Sequence, residues 1–369
     1  MHLRFATRRA QAFILGICAC SLMPGCISPR PGTITERHGD EIVVAGKFVH
    51  TGTPVVTWMD PGGYDAYRVE RRFSPLLESS WETSKVAVTT LTTPNRYGYI
   101  TGKGPARRRG LSAEEIERVR GGGWDLPLLR SVIDQFVYHF DVAGTSRQCF
   151  KTLQDVRGLS IHFMLDLDGT IYQTLDVKER AWHATTANDR SIGIEIANIG
   201  AYPANGKNPF GEWYDVQTNG TVNLKLPDKL GETGLRTKGF IGHPARSEPV
   251  TGEVQGQELI QYDFTPEQYR ALIYLTAALC RVFPKLICDY PHDAEGRLIT
   301  HKLPEADLEQ YQGLLGHYHV QTNKVDPGPA FQWDMVVKGA RELVGGLASK
   351  PRTGQGNARM FTTFDERTK

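Results

Sequence analysis

The chain has 369 residues, 40% of them hydrophobic and 23% charged, with a formal net charge of +2. This is ordinary globular composition, enough for one large domain or two modest ones. It excludes a highly charged disordered chain. With no basic stripe beyond Arg107, Arg108 and Arg109, it also gives no support for nucleic acid as a partner.

The chain opens on a targeting pattern. Arg4, Arg8 and Arg9 precede or adjoin an apolar run of 14 residues, Ala10 to Met23. That run is too short to cross a bilayer as a helix, and residues 1–26 have the form of a signal peptide. Pro24-Gly25-Cys26 follows, a small residue directly before a cysteine, which resembles a bacterial lipoprotein processing site. Met23 stands where leucine is usual and Pro24 is atypical, while Thr7-Arg8-Arg9 hints at twin-arginine export. The expectation is export to the periplasm or cell envelope, with a lipid on Cys26 as the sole membrane attachment. Of six cysteines, Cys149, Cys280 and Cys288 lie beyond this segment. Three thiols do not make a disulfide framework, although a Cys280–Cys288 bridge suits an oxidising compartment. No cysteine pair has metal-ligand spacing, so any metal is held by histidine and carboxylate.

Residues 27–123 read as an N-terminal extension with β-rich stretches at Ile42 to Val44, Phe48 to His50, Val55 to Trp58 and Val86 to Leu91. His38 and His50 lack partners at ligand spacing and are read as structural. Ser112 and Glu115 fit the S-x-x-E capping box of a short helix, and Gly121-Gly122-Gly123 marks a boundary. A domain is expected over 124–340. Its first strand, Ser131 to Asp141, carries His139 near its end, where functional side chains collect in open sheets. By residue type alone, His139 is a core histidine.

Leu159 to Asp166 and Thr170 to Thr174 are strands joined by the Asp168-Gly169 turn. His162, inside a strand, is read as packed. His183 follows Trp182, with two readings open: contact with a ligand in a groove, or orientation of another residue. Ser191 to Ile199 is an apolar strand holding one acid, Glu195, which is costly there unless paired or functional. Asn198 either touches a ligand or caps the strand. Residues 201–262 are polar and too long for a simple connection; they read as an insertion that shapes a groove. His243 within it is a surface histidine. Thr265-Pro266-Glu267-Gln268 opens a helix with Thr as N-cap, Pro at the first position and Gln at the third. Leu272, Leu275, Leu279 and Val282 form its apolar stripe. His292 and His301 read as exposed, and 341–369 as a polar tail.

The segment from Gly313 to Trp333 gathers His317, His319, Lys324 and Asp326 ahead of a Pro-Gly-Pro turn. Pro327 favours an extended Asp326, so Lys324 and Asp326 face one side together. Spacing leaves His317 and His319 equivalent.

Gly316-His317 with Lys324-Val325-Asp326-Pro327-Gly328-Pro329 resembles the C-terminal zinc segment of the zinc-dependent N-acetylmuramoyl-L-alanine amidases, the family that includes peptidoglycan recognition proteins. HFMLDLDGTIYQ…ERAWHA and SIGIE resemble it too. The resemblance implies an α/β fold, a central mixed β-sheet flanked by helices, behind an N-terminal extension. It implies Zn²⁺ bound by His139, His317 and Asp326, the Gly-His pair favouring His317 over His319. Glu195 matches the catalytic glutamate and Lys324 the group that stabilises the oxyanion, while His183 and Asn198 are candidates for substrate contact. The interval of nine residues from His317 to Asp326 is shorter than in related recycling amidases. The implied reaction cleaves the amide between N-acetylmuramic acid and L-alanine in peptidoglycan or muropeptides, by a monomeric enzyme. Two alternatives stand beside it: a non-catalytic peptidoglycan binder, and a zinc peptidase cutting within the stem peptide.

Overall fold

The computed structural model describes residues 29–67, 112, 114–115 and 124–345. The leader with Cys26, the strand expected at Val86 to Leu91 and the triple glycine lie outside these residues. The extension begins with a hairpin, β1 (Glu41–Val44) and β2 (Lys47–His50), followed by β3 (Val55–Thr57). Then come α1 (Leu126–Val132), β4 (Gln135–Phe140), β5 (Phe163–Leu165), β6 (Ile171–Gln173) and β7 (Ser191–Ile196). The insertion carries β8 (Tyr202–Pro203), β9 (Tyr214–Val216), β10 (Val222–Leu224), β11 (Val250–Val254) and β12 (Gln257–Gln261). Helix α2 (Pro266–Val282), β13 (Gly313–Gly316) and α3 (Trp333–Gly345) follow, with shorter helical segments at Ser146–Phe150, running on into Lys151–Arg157, and at Phe210–Trp213 and Glu305–Gln310 between these elements.

Six strands form the central sheet in the order β13-β4-β7-β5-β6-β3. Only β5–β6 is antiparallel; the other neighbours run parallel, so the sheet is mixed as expected. Strand β3 makes the N-terminal extension part of this sheet at its far edge. The hairpin ahead of it is bolted on by side chains: Gln173 bonds both the N–H and the carbonyl of Val43, and Asp176 accepts from Ala45 and Gly46.

One face of the sheet is covered by helices. Phe136, Tyr138, Ile192, Ile194 and Ile196 alternate toward Leu272, Leu275 and Leu279 of α2 and Val336 of α3 in one buried cluster. Helix α2 starts as its sequence dictates, with both bonds of the Thr265–Gln268 capping box made. The capping box at Ser112 and Glu115 is also formed.

Three expectations are corrected. Ser131 and Val132 belong to α1, not to a strand. Asp125 caps that helix at Leu128 N and Pro127 sits in its first turn, which outweighs the β-branched run, and the strand starts only at Gln135. Helix α3 continues through Gly345, so residues 341–345, expected as part of a polar tail, are helical. Cys280 and Cys288 are free thiols, as is the buried Cys149.

Arg190 ties the entry ends of three strands together. Its guanidinium forms a two-point ion pair with Asp134, just before β4, at 2.6 Å for both contacts. It also donates to the carbonyls of Glu309 and Tyr311, on the approach to β13. Both Arg190 and Asp134 are buried. Two histidines are likewise built into the fold. His162 Nδ1 accepts from Gly193 N at 3.1 Å, and its Nε2 meets the Glu179 carbonyl. His319 Nδ1 accepts from Gly316 N at 2.8 Å, with Nε2 against the Ile299 carbonyl. Burial lowers His162 to about 4 and His319 to about 3, so both are neutral.

Two predictions follow from these contacts. Arg190→Met leaves the Asp134 carboxylate buried without its cation and is expected to cost about 3–5 kcal/mol, read from urea unfolding. The buried histidines make the metal-free protein acid-labile. Their folded values lie below the ordinary imidazole value of about 6.5, so the unfolded chain takes up protons first. The stability they support is complete above that pH and falls as pH drops toward 4, by up to about 1.4 kcal/mol per pH unit per histidine. His319→Asn, which keeps an acceptor for Gly316 N, is expected to flatten the pH dependence of the urea midpoint.

Candidate metal centre and cleft

Parallel register assembles the site at the exit ends of three neighbouring strands. His139 on β4 pairs with Glu195 on β7. On the other side of β4, Gly316 ends β13 opposite Tyr138, so His317 emerges beside His139. Because side chains alternate along a strand, packing Tyr138 and Ile194 under α2 leaves His139 and Glu195 on the opposite face.

Three donor atoms converge there. His139 Nδ1, His317 Nδ1 and Asp326 Oδ2 are each 2.9 Å from the other two. All three residues are buried. Asp326 is carried back to His317 by the bond from Tyr318 N to its own carbonyl, at 3.2 Å. Gly316 allows that return, since a Cβ there would meet Pro327 Cδ at 2.8 Å.

The far nitrogens of both rings are engaged. His317 Nε2 donates to Gln321 Oε1 at 2.6 Å, and His139 Nε2 to His183 Nδ1 at 3.0 Å. His183 Nε2 in turn reaches Ser191 Oγ at 3.2 Å. Assigned from this network, the protons sit on Nε2, and the two Nδ1 lone pairs face a carboxylate oxygen with no proton among them. That donor set fits a divalent cation of the zinc type, which takes imidazole nitrogen and carboxylate oxygen at about 2.0–2.2 Å. The outer partners are the kind that fix ligand orientation in metal sites. Burial, reinforced by the neighbouring His317, lowers His139 to about 4, which keeps its ring neutral. Burial works to raise Asp326, but His317 and the bond from His139 outweigh it and hold the carboxyl far below its usual range.

Beside the triangle lies a cavity of about 160 Å³, lined by His139, Glu195, His317, Lys324, Asp326 and Arg157 among others. Glu195 Oε2 is buried with no hydrogen-bond partner. Burial, with the Asp326 and Asp141 carboxylates adding to it, pushes Glu195 well above the ordinary carboxyl range, against the opposing pull of Lys324 and Arg157. A cation at the triangle would offset this crowding of negative charge. Lys324 and Asp326 both face the cavity, as their two-residue spacing implies, and Lys324 is half-buried. Asp141 also borders it; burial pushes its carboxyl up to about 7 despite bonds from Ala143, Gly144 and Asn198 N–H.

The structure separates the candidates. His317 joins the triangle and His319 does not. The two look equivalent only if the segment is a strand; it is a 3₁₀ turn from His317 to His319, which turns the rings apart. His183 borders the cavity, and both its nitrogens are engaged, Nδ1 with His139 and Nε2 with Ser191, which leaves neither for a further partner. Gly193 makes room for it, since a Cβ would stand 2.5 Å from His183 Nδ1. Asn198 is a correction: its amide donates to the Tyr262 carbonyl and accepts from Gly200 N and Gln261, away from the cavity. The strand ends at Ile196, and the amide closes the loop beyond it. The insertion is corrected as well, since no residue of 201–262 lines the cavity. It grips the segment that carries Asp326 from outside, with Gln261 accepting from Ala330 N and donating to the Pro327 carbonyl. Gln321 and Arg157 lie outside every motif, and Ser191, the first residue of SIGIE, carries no sign there of its contact with His183. The one usable signal was the position of Gln321 four residues after His317.

Asp40, Glu41 and His50 form a second group with donor atoms within 4.8 Å of one another. Glu41 there caps the N–H groups of His38, Gly39 and Asp40, and Arg37 already supplies a positive charge.

The sequence pattern of the N-acetylmuramoyl-L-alanine amidase family (Amidase_2) matches residues 129–329, more than half of the chain. No curated protein matches the chain in a sequence search. Among solved structures, the N-acetylmuramyl-L-alanine amidase AmiD from E. coli, in complex with anhydro-N-acetylmuramic acid-L-Ala-D-gamma-Glu-L-Lys, is 18% identical with a TM-score of 0.31. That match covers 56% of this chain and 57% of AmiD, so the chain spans less than two thirds of that relative. A selenomethionine derivative of AmpD is 18% identical over 58% of this chain and 86% of its own, with a TM-score of 0.27. The endolysin LysCS from Clostridium intestinale URNW is 14% identical over 56% and 83%, with a TM-score of 0.26. With the family pattern running from α1 through the Pro-Gly-Pro turn, the chain belongs to the N-acetylmuramoyl-L-alanine amidase family.

Proposed function

We propose that this protein is a zinc-dependent hydrolase that cleaves the amide between N-acetylmuramic acid and L-alanine in peptidoglycan or its fragments. The observation that carries the reading is the convergence of His139, His317 and Asp326 beside Glu195 and Lys324 in one cavity. His139 Nδ1, His317 Nδ1 and Asp326 Oδ2 would hold the ion, which supplies Lewis-acid activation of water and of the scissile carbonyl. Glu195 takes the proton of the attacking water and returns it to the amine nitrogen as the C–N bond breaks. Its Oε2, with no hydrogen-bond partner in the protein, is free to accept that proton and then release it. The Lys324 ammonium faces the oxyanion that develops on the carbonyl. His183 and Gln321 hold the ligand rings in place. Export with a lipid on Cys26 belongs to the same proposal.

A binder that has lost catalysis has no use for an unpaired Glu195 carboxylate oxygen, kept buried at a cost. This favours the enzyme over the binding module. Purified protein is expected to carry one zinc per chain, and the absence of stoichiometric zinc would defeat the reading. Glu195→Ala should retain zinc and lose turnover, His139→Ala should lose zinc, and Lys324→Ala should lower kcat by about 10²–10³. Mass spectrometry of digested muropeptides is expected to release intact stem peptides beginning with L-alanine. Fragments cut within the stem would point instead to a peptidase. Incorporation of labelled palmitate, abolished in Cys26→Ala, tests the anchor.

A further inference from the structure

The β11–β12 hairpin closes through two residues, since Val254 pairs with Gln257. Both turn residues have positive φ, 55° at Gln255 and 70° at Gly256. Asn-Gly is the pair this turn prefers, because Asn tolerates the left-handed region that other side chains resist. Gln255 occupies that position with a side chain one methylene longer, and every polar atom of the side chain is used. Its Nε2 donates to the carbonyls of Tyr318 and Gln321, both at 2.8 Å, and its Oε1 accepts from Lys302 N at 3.2 Å. Its backbone N–H bonds to the Thr300 carbonyl at 2.9 Å. The two carbonyls it holds lie on the turn that carries His317. Gln321 is also the residue whose Oε1 receives His317 Nε2 at 2.6 Å. The insertion therefore clasps the outside of the turn whose inside orients the ring, and backbone strain at a single residue is retained where reach is needed.

We propose that Gln255 is a positioning residue for the metal ligand His317. By fixing the Tyr318 and Gln321 carbonyls it sets the 317–321 turn, and through Gln321 it sets the tautomer and aim of His317 Nδ1. The assignment rests on the zinc-hydrolase reading only for the use to which that aim is put.

The test uses the full chain and three variants. Gln255→Gly relaxes the turn, since glycine adopts its φ freely, and is expected to keep or raise the thermal midpoint. The same variant should weaken zinc binding about tenfold, measured by competition with a chelator. Gln255→Asn keeps the turn conformation but lacks the reach, so its zinc affinity should fall with that of the glycine variant. Gln255→Glu sets a carboxylate against two carbonyls and should bind zinc more weakly still. A second measurement needs no metal: ¹⁵N imidazole shifts of His317 in the metal-free chain. Wild type should show the Nε2–H tautomer alone, and Gln255→Gly a mixture. Wild-type affinity with a single tautomer in Gln255→Gly overturns the assignment, as does a loss of affinity matched by a loss of folding stability. A wild-type chain that binds no stoichiometric zinc removes the hydrolase reading instead, and the tautomer comparison still decides the role of Gln255.

Discussion

The levelling of the three strands that carry the site depends on one buried guanidinium. Arg190 joins the residue before β4 to the residues leading into β13, and itself stands at the start of β7. Three parallel strands are thereby held level at their entry ends. Since each rises by the same length per residue, they stay level at their exits, where His317, His139 and Glu195 stand side by side. A slip of one residue in any of them would send its functional side chain to the helix-covered face. The ion pair is kept in the interior at a desolvation cost, and alignment of the register is what it provides.

Electrostatics at the exit ends follows from that alignment. Asp326, Glu195 and Asp141 are drawn close together in a poorly hydrated region, and burial raises Glu195 and Asp141. The neutral rings of His139 and His183 add no positive charge. Lys324 and Arg157 are the cations that border the cavity among the described residues. A carboxylate-rich pocket flanked by neutral imidazoles is suited to a divalent ion, and the orientation of the rings toward one another by their outer partners supports the same reading.

Much of this was legible in the sequence, for definite reasons. His139, Glu195 and Asp326 sit in patterns that survive without the fold: an apolar strand ending in a histidine, an acid among isoleucines, a carboxylate locked before Pro-Gly-Pro. The mixed sheet and helix α2 were likewise readable, the latter down to its capping box. His317 and His319 were not separable by period, because a 3₁₀ turn replaces the alternation that a strand would impose. Asn198 was misplaced because alternation stops with the strand at Ile196. Ser131 and Val132 were misassigned because an N-cap and a proline outweigh β-branched propensity. Gln255 and Gln321 carry no motif at all, and Ser191 opens the SIGIE pattern without any sign in it that its hydroxyl meets His183. A serine or a glutamine becomes functional only through what the chain folds against it, and those partners lie up to 66 residues away, as for Gln255 and Gln321.

The hold of β12 on the Pro-Gly-Pro turn bears on how this chain can be shortened. Gln261 bonds both Ala330 and Pro327, and packs so tightly on Gly328 that a Cβ there would stand 2.1 Å from its Oε1. By composition, residues 201–262 look like the first part to delete from a minimal fragment that keeps the site. Their last strand is instead a splint for the segment that carries Asp326, so a trimmed chain has to retain Gln257–Gln261 or find another brace for that turn.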